Sequence, residues 1–456
     1  MPNSDKLKEL VSGKKVAVLG VGVSNTPLID MLVSFGARVT AHDMKNREKL
    51  GTLAGELENK GVKLVLGEDY LENIDADVIF KSPGIRFDKP GILRAVEKGA
   101  YLTSEMQVFF ELCPAKIIAV TGSDGKTTTT TLISEILKAD GKNVFVGGNI
   151  GRPLLPVVDE ITKDDYAVLE LSSFQLHKMT RSPDVAVITN VTPNHLDWHT
   201  GMDEYIEAKL NILKYQDEKG LAVLNYENEI TREAAGKASG KVTYFSSARV
   251  LEDGVYLKDD MIYDRGEPLL KTSDIIIPGL HNIENYMTAA AALHGTVKKE
   301  SIVQVARTFK GVEHRIELVR ELDGVKYYNS SIDSSPTRTI AALRSFKQKV
   351  IILCGGYDKH LDYSPLAPVL CECTTKVIVT GATKDKIKNA LIEYEGCREG
   401  APEIYETENY GESIELAHRL AKSGDIVLLS PASASFDAFT NFMERGKFFK
   451  EKVNNL

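Results

Sequence analysis

Short apolar runs rich in β-branched residues recur along the chain, with longer segments of helical period between them. Several runs are apolar at every position, which is typical of parallel strands covered on both faces of a sheet. The predicted strands are Val16–Leu19, Ala37–Ala41, Val78–Phe80, Ile117–Val120, Ala167–Leu171, Val185–Thr189, Leu221–Asn225, Val350–Leu353, Val377–Thr380 and Ile426–Leu429. Because these strands alternate with helices, the pattern predicts an α/β fold.

One stretch breaks this alternation. Between Lys241 and Pro278, the runs Val255–Leu257 and Met261–Tyr263 flank the polar pair Asp259-Asp260. Two short apolar runs joined by a tight polar connection predict a small antiparallel hairpin.

The chain has 456 residues, too many for one ordinary hydrophobic core. A new strand–loop–helix unit begins after Cys113-Pro114, and another segment begins after Phe309-Lys310-Gly311. We therefore expect three α/β domains, formed by residues 1–113, 114–311 and 312–456.

The composition restricts the partners more than it restricts the fold. A net charge of −8 argues against nucleic-acid binding, which needs clustered Lys and Arg to neutralise phosphates. No apolar run has the length of a membrane span, and the first residues lack the pattern of a signal peptide. The five cysteines are irregularly spaced, which is typical of reduced thiols. We expect a cytoplasmic, monomeric protein without membrane insertion.

The clearest chemical motif is a glycine-containing loop between a predicted strand, Ile117–Val120, and a predicted helix. Its residues are Gly122, Ser123, Asp124, Gly125, Lys126, Thr127 and Thr128. Glycines let backbone N–H groups turn toward phosphate, and a helix N-terminus adds a positive dipole. Lys126 would reach the outer phosphates of a nucleotide, and Thr127 would ligate Mg²⁺. Val120 occupies the position of the first glycine of the full motif, so the loop is a shortened form.

A weaker glycine loop follows the first predicted strand. It runs Gly20-Val21-Gly22-Val23-Ser24-Asn25, and Asp43 follows the next strand. The spacing is similar to a dinucleotide fingerprint, but Asn25 replaces the third glycine, which lets helix and strand pack closely. Three interpretations stay open: a tight strand-to-helix turn, a binding site for the diphosphate of a nucleotide, and NAD binding.

Two strands of the predicted middle domain lead to side chains that can ligate a metal ion. Tyr166–Leu171 carries Glu170 near its carboxyl end, and Val185–Thr189 leads to His195. Because ligands bind at the carboxyl ends of strands in α/β sheets, Glu170 is well placed to ligate a metal. His195 is either a metal ligand or a solvated loop histidine.

A lysine lies on the apolar face of the predicted helix between residues 203 and 215. Lys209 falls in the middle of a stripe formed by Tyr205, Ile206, Leu210, Ile212 and Leu213. A buried lysine needs an anion or a lowered pKa, whereas a lysine at the stripe's edge extends its amine to solvent. Both interpretations stay open, and a neutral amine can also react with carbon dioxide to give a carbamate that ligates a metal.

At this point the chain resembles the Mur ligase family, over essentially its whole length. The motifs that carry the resemblance are Gly122–Thr128, Gly147–Gly151, Glu170–Leu176, Asn190–Thr192 with His195, Tyr205–Lys209, His281-Asn282, His314-Arg315 and Ser430–Asp437. The resemblance implies a ligase that forms an amide bond using ATP and Mg²⁺. It also implies an N-terminal Rossmann-like domain, a central P-loop ATPase-like domain with a small antiparallel β extension, and a C-terminal Rossmann-like domain.

The resemblance assigns a role to each matching residue. The implied catalytic residues are Lys126, Lys209 and His195. The implied ATP contacts are Gly122, Ser123, Asp124, Gly125, Lys126, Thr127, Thr128, Asn282, Asn285 and Arg315. The implied metal ligands are Thr127, Glu170, His195 and a carbamylated Lys209. The implied contacts to the UDP-substrate are Ser24, Asn25, Ser82, Gly84, Asn149, Ser172 and Gln175.

The segment from Ser430 to Gly446 resembles the D-glutamate-adding members of the family. It implies UDP-N-acetylmuramoyl-L-alanine and D-glutamate as substrates, with Lys359, Ser435 and Phe442 holding D-glutamate. One stretch departs from the family, because the usual Asn-Asp-Ser-Lys-Ala-Thr is Asn-Ser-Ser-Ile-Asp-Ser at residues 329–334. The usual aspartate and lysine are absent in register, and Asp333 is a candidate to replace the aspartate from a shifted position.

Other functions account for parts of the sequence. An NAD-dependent dehydrogenase would use the first glycine loop and Asp43, but it would leave the loop at residues 122–128 unexplained. A non-catalytic nucleotide-binding module would not need Glu170, His195 and Lys209 together. A ligase of the same family that adds another amino acid, or adds glutamate to folate, is the nearest alternative.

Overall fold

The computed structural model describes residues 2–22, 25–193, 198–397 and 401–456. Within these residues the strands form three sheets, of five, nine and six strands. Strands alternate with helices in each sheet, so the predicted α/β fold is confirmed.

The chain divides into two compact units. The first contains Met1–Leu270 and Asn285–Ile302, and the second contains Lys271–Glu284 and Val303–Leu456. The first unit holds the five-stranded sheet and most of the nine-stranded sheet, and the second holds the six-stranded sheet. The limits of the three expected domains stay a prediction.

The first sheet is parallel throughout. Its strands are β1 Lys15–Leu19, β2 Arg38–Asp43, β3 Lys63–Leu66, β4 Val78–Lys81 and β5 Tyr101–Thr103. The helices along this part of the chain are α1 Asp5–Val11, α2 Asn25–Ser34, α3 Arg47–Leu50, α4 Thr52–Asn59, α5 Pro90–Glu97 and α6 Glu105–Leu112. The strand order is β3-β2-β1-β4-β5, so the direction of winding reverses between β1 and β4. Ligands of such sheets bind at that point, outside the carboxyl ends of the strands.

The nine-stranded sheet follows. Its strands are β6 Lys116–Thr121, β7 Val144–Gly148, β8 Tyr166–Glu170, β9 Val185–Ile188, β10 Leu221–Asn225, β11 Lys241–Ser246, β12 Gly254–Lys258, β13 Met261–Asp264 and β14 Glu267–Lys271. The helices along this part are α7 Lys126–Ala139, α8 Ser173–Leu176, α9 Met202–Lys214, α10 Glu229–Glu233, α11 Leu280–Leu293 and α12 Lys299–Thr308. β12 and β13 pair antiparallel, which confirms the predicted hairpin.

The centre of this sheet positions the candidate site. β6 lies between β8 and β9, and all three strands are parallel. Their carboxyl ends therefore meet at one edge, which brings together the loop after β6, Glu170 at the end of β8, and the residues that follow β9.

One hydrophobic cluster serves both sheets of the first unit. It runs from Leu7 and Leu28, beside the five-stranded sheet, to Leu154 and Leu169 in the nine-stranded part. Polar contacts accompany it: Asn3 Nδ2 donates to the carbonyl oxygens of residues 158 and 161, at 2.7 and 2.9 Å. The two sheets are thus packed as one body.

The six-stranded sheet forms the centre of the second unit. Its strands are β15 Glu317–Leu322, β16 Val325–Asn329, β17 Val350–Gly355, β18 Thr374–Thr380, β19 Glu403–Glu406 and β20 Ile426–Leu429. The helices are α13 Pro336–Leu343, α14 Ala367–Cys373, α15 Lys384–Glu393, α16 Tyr410–Leu420 and α17 Phe442–Asn454. The order is β15-β16-β20-β17-β18-β19, with β15 antiparallel to β16 and the remaining pairs parallel. The winding reverses between β20 and β17.

None of the described helices combines the length and the apolar character that crossing a membrane requires. Cys113, Cys354 and Cys373 are free thiols, as expected. Cys371 is disulfide-bonded, so the expectation of reduced thiols is wrong for this residue. Sequence spacing did not reveal it, because a disulfide depends on the distance between two Cα atoms in the folded chain.

Candidate active site

The loop between β6 and α7 is built around two glycines at positions that strongly favour glycine. Gly122 has φ +144° and Gly125 has φ +77°, in the region that favours glycine. A Cβ on Gly122 would lie 1.9 Å from Thr189 Oγ1, and one on Gly125 would lie 2.6 Å from Asn285 Oδ1. A side chain at either position would therefore strain the loop or displace its neighbours.

The segment after β9 holds this loop in place. Asn190 accepts from Ser123 N with its carbonyl oxygen at 2.8 Å and from Asp124 N with its Oδ1 at 2.9 Å. The Ser123 hydroxyl lies 2.9 Å from Tyr205 OH and also bonds the backbone of Thr192. Because two separate segments, residues 190–192 and α9, hold the loop, it is pre-formed, as a binding loop for phosphate must be.

Lys126 is the first residue of α7. Its Nζ donates to the carbonyl oxygens of Gly122 and Ser123, at 3.0 Å each. The amine therefore lies over the loop, where it can meet an anion held by the loop's N–H groups and by the positive end of the α7 dipole.

Lys209 is buried on α9, with 2% of its surface exposed, so the interpretation of a solvent-reaching lysine is wrong. Its Nζ donates to Gly122 O at 2.7 Å and lies 4.6 Å from the ring centre of Tyr205. Burial, followed by the charge of Lys126, lowers the pKa of Lys209 to about 7. A substantial fraction of the amine is therefore neutral near pH 7 and can act as a nucleophile toward carbon dioxide.

Glu170 is 2% exposed at the end of β8. Its Oε1 accepts from Asn149 Nδ2 at 2.8 Å, whereas its Oε2 has no hydrogen-bond partner among the described residues. A buried carboxylate oxygen without a donor is costly unless a cation satisfies it. The carboxylate, with Thr127 at the start of α7, is thus a donor set that suits Mg²⁺.

The remaining predicted metal and UDP ligands include two that the structure does not place. His195 and Ser24 lie outside the described residues. Within the described part of the chain, no three His, Cys, Asp or Glu side chains cluster as a metal site. Among the described residues, the candidate ligands of the magnesium site are therefore Glu170, the hydroxyl of Thr127 and Lys209. The unmodified amine of Lys209 is not a magnesium ligand, so Lys209 can take part only as a carbamate.

The two predicted asparagine contacts to ATP lie on α11. Asn285 is buried in the first unit, where its Oδ1 accepts from Thr129 Oγ1 on α7 at 3.1 Å. Asn282 belongs to the second unit, and its Nδ2 donates to Pro278 O at 2.6 Å. Arg315, the third predicted contact outside the loop, lies between two residues with positive φ, His314 at +64° and Ile316 at +45°. A β-branched residue with positive φ is rare and strained, so the bend that carries Arg315 is held by its surroundings.

Asp43 and Asn25, the two residues that bear on the dinucleotide interpretation of the first glycine loop, bond the backbone. Asp43 accepts from Val21 N with one carboxylate oxygen, at 2.7 Å, and from Lys45 N with the other, at 2.8 Å. Asn25 is buried, and its Nδ2 donates to the carbonyl oxygens of Leu19 and Gly20, at 3.3 and 2.8 Å. Both side chains shape the loop, which disfavours NAD binding.

Four other predicted UDP contacts hold backbone turns. Ser82 and Gly84 lie in the turn after β4, where Ser82 N donates to Leu19 O and Gly84 O accepts from Trp198 Nε1. Ser172 and Gln175 form a capping box at the start of α8, each side chain bonding the backbone of the other. Asn149, described above, bonds Glu170. The structure thus brings Asn149 to the metal-ligand candidate.

The predicted D-glutamate residues belong to the second unit. Lys359 is exposed in the loop after β17, with its Nζ 5.7 Å from the ring centre of Phe436. Ser435 is buried after β20, and Tyr357 N donates to Ala434 O at 2.9 Å, which joins the two loops. They meet where the winding of the sheet reverses, the usual place for a ligand in such a domain.

Most of the segment that departs from the family is buried, with Ile332 and Ser334 half-buried. Ser330 Oγ accepts from Ile316 N at 3.2 Å, and Ile332 N donates to His314 O at 3.2 Å, so the segment supports the strained bend. Asp333 folds back on Ser330 and accepts from Ser430 Oγ at 2.8 Å. Burial raises the pKa of Asp333 to about 6, against opposing effects of hydrogen bonds and of Arg315.

Sequence reasoning missed two residues that organise the site. Asn190 was quoted only as part of a motif, yet both of its oxygens hold the phosphate loop. Arg445 is fully buried and donates to Ser331 and to the carbonyl oxygens of Ser433 and Ala434. The signal for Arg445 was its place within the segment Ser430–Gly446, since an arginine is rarely buried without a structural or binding role.

Two family models match the chain. The Mur ligase middle domain matches residues 120–293, and the glutamate ligase domain of Mur ligases matches residues 314–433. A UDP-N-acetylmuramoylalanine–D-glutamate ligase of Acetivibrio thermocellus is 54% identical, covering 98% of both chains. The enzyme of the same name from Clostridium beijerinckii is 51% identical, covering 99% of both.

Solved structures share the fold. The crystal structure of a UDP-N-acetylmuramate–alanine ligase from Thermotoga maritima matches with a TM-score of 0.60 at 19% identity, covering 97% of this chain and 99% of that one. A UDP-N-acetylmuramoyl-L-alanyl-D-glutamate–2,6-diaminopimelate ligase matches with a TM-score of 0.60 at 16% identity, covering 100% and 94%.

Proposed function

The chain belongs to the Mur ligase family, and we propose that it uses ATP to join D-glutamate to UDP-N-acetylmuramoyl-L-alanine, a step of peptidoglycan precursor synthesis. The observation that carries this function is the identity of about half of all positions, over the full length, with relatives named for that reaction. The phosphate loop, with Lys209 bonded to its backbone, supports the ATP half of the reaction.

The chemistry has two steps. A carboxylate is a poor electrophile, so the L-alanine carboxylate first takes the γ-phosphoryl group of ATP and becomes an acyl phosphate, with ADP as the leaving group. The amine of D-glutamate, in its neutral form, then attacks the acyl carbon. Inorganic phosphate leaves the tetrahedral intermediate, and the amide forms as the nitrogen loses a proton.

In this proposal the phosphate loop and Lys126 bind the β- and γ-phosphates of ATP. Loop N–H groups and the lysine stabilise charge on the transferred phosphoryl group, because they are held in place before the reaction begins. Asn285 and Arg315 are proposed as further nucleotide contacts, together with Asn282.

We propose that Glu170, Thr127 and carbamylated Lys209 hold Mg²⁺, together with His195. The ion would neutralise part of the phosphate charge during transfer. A carbamate turns the cationic amine of Lys209 into an anionic oxygen ligand, which explains how a lysine can serve beside Glu170. The low pKa of Lys209 supports this modification, since only the neutral amine reacts with carbon dioxide.

We propose that D-glutamate binds between the loops after β17 and β20. Lys359 would pair with one of its carboxylates, and Ser435 and Phe442 would complete the site. Ser24, Asn25, Ser82, Gly84, Asn149, Ser172 and Gln175 remain proposed contacts of the UDP-substrate, directly or through the turns that they hold. A cytoplasmic location and a monomeric state stay predictions.

Phosphate release tests the function. With ATP, Mg²⁺ and UDP-N-acetylmuramoyl-L-alanine, release should require D-glutamate and should fall strongly with L-glutamate, L-lysine or meso-diaminopimelate. Release without any amino acid, or equal release with another one, would contradict the proposed reaction.

A further inference from the structure

Lys81 is a half-buried cation whose hydrogen-bond partners are all neutral. It is the last residue of β4, and its Nζ donates to the carbonyl oxygens of Ser82 at 3.1 Å and Ile85 at 2.7 Å. Among the described residues it forms no ion pair. Burial lowers its pKa to about 8, so at neutral pH most of the molecules carry an uncompensated positive charge at this position.

The charge of Lys81 lies at the point of the five-stranded sheet where ligands usually bind. Lys81 pairs in register with Leu19, the last residue of β1, and the winding of the five-stranded sheet reverses between these two strands. Gly20, which follows Leu19, approaches the turn after β4 so closely that a Cβ on it would lie 2.9 Å from Ser82 Cβ. The charge therefore lies under the junction of two loops at the ligand-binding edge of the sheet.

Three of the four carbonyl oxygens in the turn at residues 82–85 accept hydrogen bonds. Ser82 O and Ile85 O accept from Lys81, and Gly84 O accepts from Trp198 Nε1 at 3.0 Å. The N–H of Gly84, by contrast, has no acceptor in the described part of the chain. A turn with most of its carbonyl oxygens engaged, an available N–H and a neighbouring cation is suited to an anion.

The loop after β1 also has carbonyl oxygens that are engaged within the protein. Asn25 Nδ2 donates to the carbonyl oxygens of Leu19 and Gly20, so these two oxygens are also engaged within the protein. The nearby carboxylate of Asp43 is engaged by two backbone N–H groups and does not pair with Lys81. The carbonyl oxygens named above and the Asp43 carboxylate are thus engaged, and among the described residues no carboxylate pairs with Lys81 at the junction of the two loops.

From this geometry we infer that Lys81 recognises the diphosphate of the UDP-substrate, both by holding the turn at residues 82–85 and by supplying the charge that the diphosphate neutralises. The inference rests on the proposed function and adds a residue that the family resemblance did not assign. A lysine suits this role because its ammonium acts as a compact point charge for phosphate.

The test separates charge from loop shape by using two probes, UDP and uridine, in calorimetric titrations of the full chain without ATP or D-glutamate. The variants are Lys81→Met, which keeps the length of the side chain, and Lys81→Arg, which keeps the charge. Lys89→Met, at an exposed lysine before α5, is the control.

We expect Lys81→Met to bind UDP about 10- to 100-fold more weakly, as for loss of a charge-assisted hydrogen bond. Its affinity for uridine should stay within about two-fold of the wild type, and its UDP affinity should depend less on salt. Lys81→Arg should retain most of the UDP affinity. In assays of phosphate release, Lys81→Met should raise the KM for the UDP-substrate and leave the KM values for ATP and D-glutamate unchanged.

Equal weakening of UDP and uridine would overturn the inference, since that pattern means that Lys81 only maintains the turn. UDP affinity equal to the wild type in Lys81→Met would overturn it as well. A wild-type chain that binds no UDP and releases no phosphate would instead contradict the proposed function, so the two failures are distinguishable.

Discussion

Lys209 Nζ donates to the carbonyl oxygen of Gly122 at 2.7 Å, so the buried lysine of α9 is bonded directly to the backbone of the phosphate loop. The contact places the group with the lowered pKa beside the position proposed for the γ-phosphate. It also means that a change in the charge of Lys209 acts on the loop without any intervening side chain.

The first prediction concerns carbon dioxide. Because the pKa of Lys209 is lowered to about 7, its amine is mostly neutral at pH 8 and mostly protonated at pH 6. Enzyme depleted of carbon dioxide at pH 8 should lose most of its activity and regain it when bicarbonate is added. The bicarbonate needed for half recovery should rise as the pH falls from 8 to 6.

Lys209→Gln should be nearly inactive and should not respond to bicarbonate, whereas Lys214→Gln, at an exposed position of the same helix, should behave as the wild type. Full activity of the depleted wild-type enzyme would rule out the carbamate.

The second prediction concerns Lys126. Lys126→Ala removes one positioned positive charge from the phosphate loop, so turnover should fall by roughly 10²–10³-fold or more. Steady-state phosphate release at saturating substrates measures the effect. Lys138→Ala, in the last turn of the same helix, should retain normal turnover. A Lys126→Ala enzyme with near-normal turnover would refute the proposed role.

The third prediction concerns the amino-acid substrate. Lys359→Ala should raise the KM for D-glutamate by about 10-fold or more, with a much smaller effect on the KM for ATP, because it removes the partner of one substrate carboxylate. Lys347 is exposed just before β17, whereas Lys359 follows that strand, so Lys347→Ala is the matched control. Equal changes in both KM values would argue against this assignment.

The fourth prediction concerns the segment that differs from the family. If Asp333 acts through Arg315 in place of the missing aspartate, Asp333→Asn should raise the KM for ATP by about 10-fold and leave that for D-glutamate unchanged. Burial raises the pKa of Asp333 to about 6, so the carboxylate is charged above this pH and protonated below it.

The wild-type KM for ATP should therefore rise toward the value of the variant as the pH falls below 6, and the variant should not show this change. Asp385→Asn, on the exposed first turn of α15, controls for loss of charge alone. Parallel loss of D-glutamate and ATP affinity would indicate a general structural role for Asp333.

The fifth prediction concerns stability. Glu105 is 7% exposed, and burial raises its pKa to about 7, although it accepts from Leu155 N at 3.1 Å. The folded chain therefore holds a proton that the unfolded chain releases between pH 4.5 and about 7. The contribution to stability is complete below pH 4.5 and is lost as the pH rises through about 7.

By linkage, the loss amounts to at most about 3 kcal/mol of the free energy of unfolding. Glu105→Gln keeps the acceptor oxygen and should flatten this pH dependence in urea unfolding measured from pH 5 to pH 8. An unchanged slope in the variant would show that other groups cause the dependence.

The apolar runs located several central strands because both faces of those strands are covered. β1, β6, β9, β17 and β20 are almost entirely buried, so nearly every position is apolar. The edge strands β3 and β19 were missed, because their positions are largely half-buried or exposed and carry charged residues such as Lys63 and Glu403. Solvent on one side of a strand removes the signal on which the prediction depends.

The residues of the site also fall into two groups, those that local sequence predicted and those that it did not. The phosphate loop is local in sequence, so its spacing predicted a loop between strand and helix, and the helical period placed Lys209 on the apolar face of α9 without deciding whether its amine is buried. The hydrogen bond from Asp124 N to Asn190 Oδ1 joins residues that are 66 positions apart. Arg445 and Ser331 are separated by 114 positions. Such contacts follow from the order of strands in a sheet, which hydrophobic periodicity does not contain.

The hydrophobic cluster that serves both sheets of the first unit also has a consequence for how the chain denatures. Apolar side chains on either side of the cluster, such as Leu28 and Leu154, lose their packing together when either sheet opens. The first 113 residues should therefore melt in the same cooperative transition as the nine-stranded sheet. A fragment that begins at residue 114 would expose a broad apolar surface to water and should aggregate rather than remain as a working ATPase module.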